Sequence, residues 1–146
     1  PELHAAKLEN NKSLRCDIES FSRAGGSIFA ECGGLMYLAE TLLVSKDDPA
    51  RNMCGVFPIS IRMTPHAKMY YAEIEFSQNN PLFPTAGKCR GQRFHFSEVV
   101  DVDEKDQLHT IMTGVNSPLL VTPLLPGAIP EHTGFTVNNT VASYFH

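Results

Sequence analysis

No apolar run in this sequence approaches the roughly 20 residues a helix needs to span a bilayer, and no secretory leader is visible at its start. Lysine and arginine nowhere cluster, and the formal net charge over 146 residues is -4. Both features argue against a nucleic-acid partner. Internal repeats and low-complexity segments are missing as well. The four cysteines, Cys16, Cys32, Cys54 and Cys89, form no C-x-x-C pair, and together with the histidines they are too scattered to mark a metal site. Reduced thiols in a cytosolic enzyme are therefore expected, because disulfide frameworks belong to smaller, loop-dominated chains. There is no opening methionine: the chain starts at Pro1 and stops at His146, directly after an apolar strand-like run. The expectation is one domain, residues 1–146, cut at both ends from something longer and large enough to bury a substantial core.

What the sequence does hold is organised around Gly25–Leu38. Ile28, Phe29 and Ala30 form a brief apolar run, as in a strand covered on both faces. Leu35, Leu38 and Leu42 then recur at helical spacing, with Met36, Ala39 and Leu43 widening the stripe, which predicts a helix to about Val44. Cys32 falls where the strand turns into the helix, with Ala30 and Gly34 two residues to either side in the places of the usual glycines. This is the arrangement of a nucleophile elbow, with sulfur in place of the usual hydroxyl. The unpaired N–H groups and positive end of the helix favour the thiolate and can lower a cysteine pKa by about one or several units from ~8.5. The Gly33 N–H is placed to stabilise an oxyanion on a substrate carbonyl. A buried, inert cysteine behind the first helical turn is the alternative.

Elsewhere the sequence predicts a loop over Pro1–Lys7. A helix capped by Asn10 or Asn11 follows, with Leu14, Ile18 and Phe21 inward and Gly25 as its stop. Val56–Met63 reads as a strand in which Pro58 marks an edge or bulge. Tyr70, Ala72, Ile74 and Phe76 alternate with Tyr71, Glu73 and Glu75, the pattern of a half-buried strand. Asn79-Asn80-Pro81 predicts a turn and Asp103–Asp106 an acidic, solvated one. Leu119–Leu125 is a strand interrupted by prolines, and Phe135–Tyr144 is a hairpin about Asn138-Asn139. The first quarter is thus α/β and the rest mostly β.

A thiol that attacks a carbonyl needs a base to take its proton and pass it to the leaving group, and histidine is the first candidate at neutral pH. His4, His109 and His132 lie in polar surroundings, and His66 follows Thr64-Pro65. His95 sits on the polar face of a strand with Arg93 and Ser97, opposite Phe94 and Phe96. A surface or hydrogen-bonded histidine is the ordinary reading there. His146 closes an apolar strand, a rigid support for a base. The residues alone leave His95 and His146 both open.

Ala30-Glu31-Cys32-Gly33-Gly34-Leu35-Met36-Tyr37-Leu38 closely resembles the nucleophile motif of the cobyrinate a,c-diamide synthases and, more broadly, of the glutamine amidotransferase domains in cobyrinate- and cobyrate-amidating enzymes. Pro1-Glu2-Leu3-His4-Ala5 is similar to the tail of the family's Gly-Gly-Tyr-Pro-Glu segment. Arg90–Ser97 is similar to its Arg-Gly-His-Glu-Phe-His-Tyr-Ser stretch, and Val141–His146 to its terminal Ala-Ser-Tyr-x-His segment. The resemblance implies an α/β fold of the class I glutamine amidotransferase type, flavodoxin-like and three-layered. It implies that Cys32 attacks the glutamine side-chain amide and that His146 raises the nucleophilicity of the cysteine, with His95 a possible secondary site. No cofactor or metal is implied within the chain. ATP and Mg are expected in a preceding synthetase domain, where ammonia would amidate the a and c carboxylates of a corrinoid. A homodimer stays open. Relatives acting on cobyrate or another tetrapyrrole, a silent binding module and a free-standing thiol hydrolase are the alternatives. Two departures stand out: Gln92 and Arg93 occupy positions where the family has histidine and glutamate, and nothing resembles the Gly-Gly pair that precedes Pro-Glu, so the chain alone is expected to be weakly active at best.

Overall fold

Asn11 caps a helix as the sequence predicts, its Oδ1 accepting the Leu14 N–H at 3.3 Å in the computed structural model, which describes residues 1–76, 82–83, 85–100 and 117–146. The expected turn at Asn79-Asn80-Pro81, the acidic turn at Asp103–Asp106 and His109 lie outside these residues. The capped helix, α2 (Lys12–Arg23), ends in paired bonds from Gly25 N–H to Ser22 O and from Gly26 N–H to Phe21 O, with Gly25 at φ +83°. A left-handed residue after the last turn satisfies the orphan carbonyls in this way.

Before α2 the expected loop is instead a 3-10 turn (Glu2–His4) and a short helix, α1 (Ala5–Asn10), which buries Ala5. Glu9 pins α1 to the two-residue strand β3 (Arg51–Asn52), accepting from the Asn52 backbone N–H at 2.9 Å and pairing with Arg51 at 3.1 Å. The predicted inward face of α2 holds only in part. Ile18 packs on the core, whereas Leu14 and Phe21 stay exposed. The Phe21 ring lies against Gly26 and leaves no room for a Cβ there. The helix is tied inward through a small polar contact, Ser22 to Thr140, at 2.7 Å.

The chain then enters β1 (Ile28–Glu31), turns at Cys32, and forms α3 (Gly33–Leu38). Two expectations fail here. Strand β1 is covered on one face only, Ala30 being buried while Phe29 is 48% exposed. The helix stops at Leu38 rather than Val44. Ala39 adopts extended backbone (ψ 169°) and opens β2 (Ala39–Leu43). The apolar spacing of 39–43 suits a helix or a strand, and parallel pairing with β4 (Phe57–Phe76) decides between them. Pro58 falls in a bulge of that pairing: Ala39 faces Phe57 but Thr41 faces Ser60.

Strand β4 carries much of the rest. One edge pairs with β2 and then with β6 (Leu119–Pro123), which in turn pairs with β7 (Glu131–Thr133). The other edge pairs antiparallel with β5 (Gly87–Val100). Met63 faces Ser97 and Lys68 faces His95, so residues 64–67, His66 among them, bulge out of the ladder within β4. The alternation over 70–76 is as expected, with Ala72 and Ile74 buried and Tyr71 exposed. The Phe135–Tyr144 hairpin forms as β8 (Phe135–Val137) and β9 (Thr140–Ser143). Strand β9 is parallel to β1, giving a second sheet ordered β1-β9-β8. The last residues join the two sheets: Phe145 bridges Arg93, and His146 exchanges backbone bonds with Gln92 at 2.8 and 3.1 Å.

The main core gathers Leu35, Met36, Leu38, Leu42, Phe57, Ile59, Ile61, Phe135 and Tyr144, and a smaller cluster holds Ala72, Ile74, Leu119, Val121 and Phe145. The architecture is mixed α/β, as expected. No helix among the described residues is long and apolar enough to cross a membrane.

Candidate active site

Cys32 stands between β1 and α3 with φ +49° and ψ -104°. A left-handed backbone at a non-glycine residue is strained by about 1–3 kcal/mol and persists only where its surroundings over-determine it. Here the Cys32 N–H donates to Ser143 O at 2.8 Å, continuing the β1–β9 ladder, and the Met36 N–H donates back to Cys32 O at 3.2 Å, opening the helix. The strained turn predicted from sequence is present. Gly33 is required by crowding: a Cβ there would lie 2.9 Å from Cδ of Pro1.

The thiol opens into a cavity of about 280 Å3 lined by Glu2, Gly33, Met36, Met63 and the β5 residues Phe94, His95 and Phe96. Its Sγ–H donates to the Phe94 carbonyl, with Sγ and oxygen 3.6 Å apart. Burial pushes the thiol pKa up, the Gly33 N–H pulls it down and the Glu2 carboxylate pushes it up again. The expected net lowering by the helix end is therefore not what this structure displays. Desolvation outweighs one facing N–H, because α3 has only six residues and contributes little beyond its first amide.

The structure brings His95, not His146, into the cavity with Cys32. Residues Arg93, His95 and Ser97 occupy the inner side of β5 and Phe94 and Phe96 the outer one, so the polar face is the buried face. His95 is 4% exposed and Ser97 wholly buried, against 39% and 43% for Phe94 and Phe96. Both ring nitrogens of His95 are engaged. Nδ1 faces Ser97 O at 2.8 Å and Nε2 accepts from Arg93 Nε at 2.8 Å. A carbonyl can only accept, so Nδ1 carries the proton and the ring is neutral. Burial, then the Arg93 guanidinium, lowers the His95 pKa to about 4. Tyr144 stacks on the ring with centroids 3.7 Å apart and accepts from Ser97 Oγ–H at 2.9 Å. Burial raises the Tyr144 phenol to about 12.

His146 is exposed and lines a separate hollow of about 70 Å3 with Glu31, Arg90, Gly91, Ser143 and Phe145. No hydrogen bond links it to Cys32. Gly91 lets it approach, since a Cβ there would sit 3.3 Å from His146 O and 2.7 Å from Ile74 Cδ1. Among the described residues no three of His, Cys, Asp and Glu gather as a metal site. The four cysteines are all free.

Sequence reasoning missed the Phe94 carbonyl, the Ser97–Tyr144 bond and the partners of Arg93. That side chain reaches Tyr70 OH at 3.0 Å and Glu131 Oε1 at 3.2 Å, and lies over the rings of Tyr70, Tyr144 and Phe145 at 5.7–5.9 Å. The one available signal was the guanidinium standing where the resembling motif has a carboxylate.

The model of the CobB/CobQ-like glutamine amidotransferase domain matches residues 1–146. A cobyrinate a,c-diamide synthase of Saccharolobus solfataricus is 34% identical over 146 residues, covering 100% of this chain and 31% of that protein. One of Methanothermobacter thermautotrophicus is 33% identical over 147 residues, covering 100% of this chain and 29% of the relative. Another, of Syntrophotalea carbinolica, is 40% identical over 102 residues, 68% of this chain and 22% of the relative. The chain thus spans less than a third of the length of these relatives. With the strained cysteine turn, the parallel β1–β9 pair and a match over its whole length, the chain belongs to the CobB/CobQ-like glutamine amidotransferase family and has its class I α/β type of fold.

Proposed function

We propose that this chain is the glutaminase part of an ATP-dependent cobyrinate a,c-diamide synthase in cobalamin biosynthesis, with Cys32 as nucleophile. The observation that carries this reading is a thiol held at a left-handed strand-to-helix turn and open to a cavity, in a chain of this family. Sγ attacks the side-chain amide carbon of glutamine. The amide nitrogen leaves as ammonia with the thiol proton, and water then cleaves the glutamyl thioester to glutamate and restores the thiol. The Gly33 N–H, which already faces Sγ, is suited to the oxyanion.

His146 is the base in this reading. His95 is poorly suited because both its nitrogens are taken, whereas His146 is exposed and lies on the segment that continues from Ser143, the residue holding the Cys32 amide. Ammonia would serve a synthetase part outside this chain, where ATP and Mg2+ activate the a and c carboxylates of the corrinoid. The compartment that suits four free thiols is the cytoplasm.

One observation favours a second reading, a catalytically silent module: the thiol donates its proton to a carbonyl and no imidazole among the described residues bonds it. The full-length protein distinguishes the two. Cys32→Ala is expected to abolish glutamine-dependent amidation and leave ammonia-dependent amidation intact; equal survival of both activities contradicts the glutaminase reading.

A further inference from the structure

Arg93, where this chain departs from the resembling motif, is bonded to His95, Tyr70 and Glu131. Arg93 sits one residue before Phe94, whose carbonyl receives the Cys32 thiol, and two before His95, which shares the cavity with that thiol. Its Nε–H closes the only free lone pair of the imidazole. Its Nη1 is held by Tyr70 OH and Glu131, and three aromatic rings enclose it. The opposite edge of the imidazole is fixed by Ser97 O and its face by Tyr144. The backbone between these fixed side chains is the stretch that presents the carbonyl to Cys32.

We propose that Arg93 is a positioning residue for the Cys32 thiol: anchored by Glu131 and Tyr70, it keeps His95 neutral and immobile, so that His95 supports the Phe94 carbonyl and does not compete for the thiol proton. The proposal deepens the glutaminase reading and rests on Cys32 being the reactive thiol. A proton on Nε2 would have to displace the Arg93 N–H and set two cations in contact in a buried site, which the surroundings resist. The other charged or titratable groups around the ring act the same way or are paired elsewhere. Lys68 faces His95 across the ladder and adds positive charge, Glu131 is committed to Arg93 and Tyr70, Tyr144 is a neutral phenol, and Glu2 lies across the cavity.

The test uses the full-length protein and iodoacetamide, with alkylation of each cysteine followed by peptide mass. Exposed Cys16 supplies the reference rate, and buried Cys54 reports loosening of the core. Arg93→Met frees Nε2 and removes the adjoining cation, so the imidazole takes a proton more readily although burial still opposes it, and the imidazolium that forms in the shared cavity favours the thiolate. The Cys32/Cys16 rate ratio at pH 6 is expected to rise at least threefold. Arg93→Lys, which keeps a cationic donor, is expected to stay within twofold of the parent. If Arg93→Met exposes Cys54, Arg93→Leu takes its place, with a rise in the same direction. An unchanged ratio in a variant whose Cys54 stays protected, or an equal rise in Arg93→Lys, overturns the proposal. Failure of the glutaminase reading is read separately, as glutamine hydrolysis that survives Cys32→Ala.

Discussion

Arg93 Nε and His95 Nε2 lie 2.8 Å apart inside the β5 face that local patterning would turn toward solvent. Burial first, and then this contact, keep the His95 imidazole neutral well below pH 6.5.

Stability should therefore fall through that window. The unfolded chain binds a proton at His95 near pH 6.5, while the folded chain does not until about pH 4. The folded form is the one lacking the proton, so the contribution of this group is present above pH 6.5 and is lost progressively as pH drops toward 4. Urea midpoints between pH 7 and 4.5 should decline less steeply in His95→Gln, which cannot titrate, than in the parent. Identical slopes would contradict the assignment.

At Gly33 the prediction concerns activity. A methyl group there meets Pro1 Cδ at 2.9 Å and must displace the segment that walls the thiol cavity. Gly33→Ala in the full-length protein should lower glutamine-dependent kcat/KM about tenfold or more, a loss of ~1.4 kcal/mol in transition-state stabilisation. Ammonia-dependent turnover should be unchanged. Steady-state assays with the two nitrogen donors check this.

Glu9 makes an acid-limb prediction. The Asn52 backbone N–H, then Arg51, holds its carboxyl below the ordinary value of 4.5, so the native state retains the carboxylate that the unfolded chain protonates. The stabilisation is present above about pH 4.5 and is lost as pH falls through the lowered folded value. Glu9→Gln should thus reduce the urea midpoint at pH 6.5, and the gap to the parent should narrow below pH 4.

How much was legible in the sequence follows from the range of the forces involved. The elbow at Cys32, the capped helix ending at Gly25 and the Asn138-Asn139 hairpin could be read because each depends on residues within a few positions of one another. The end of α3 could not, since apolar spacing over 39–43 fits either period and only pairing with β4 decides. The turn that carries Cys32 was legible from its motif, but the arrangement of side chains around it was not. His95 lies on the inner face of β5 because Tyr144 stacks on it, Ser97 bonds Tyr144, and Arg93 reaches Glu131, contacts 38 to 49 residues apart in the chain. Phe94 and Phe96 are correspondingly turned outward, where they wall the cavity.

The central claim is that the Cys32 sulfur becomes acylated by glutamine. Rapid acid quench of full-length protein during glutamine turnover, followed by peptide mass analysis, tests it directly. The account predicts a glutamyl adduct on the peptide carrying Cys32, absent in Cys32→Ala and removed by mild base. Sustained glutamine hydrolysis with that peptide never modified, or with the adduct on Cys16, Cys54 or Cys89, would contradict it.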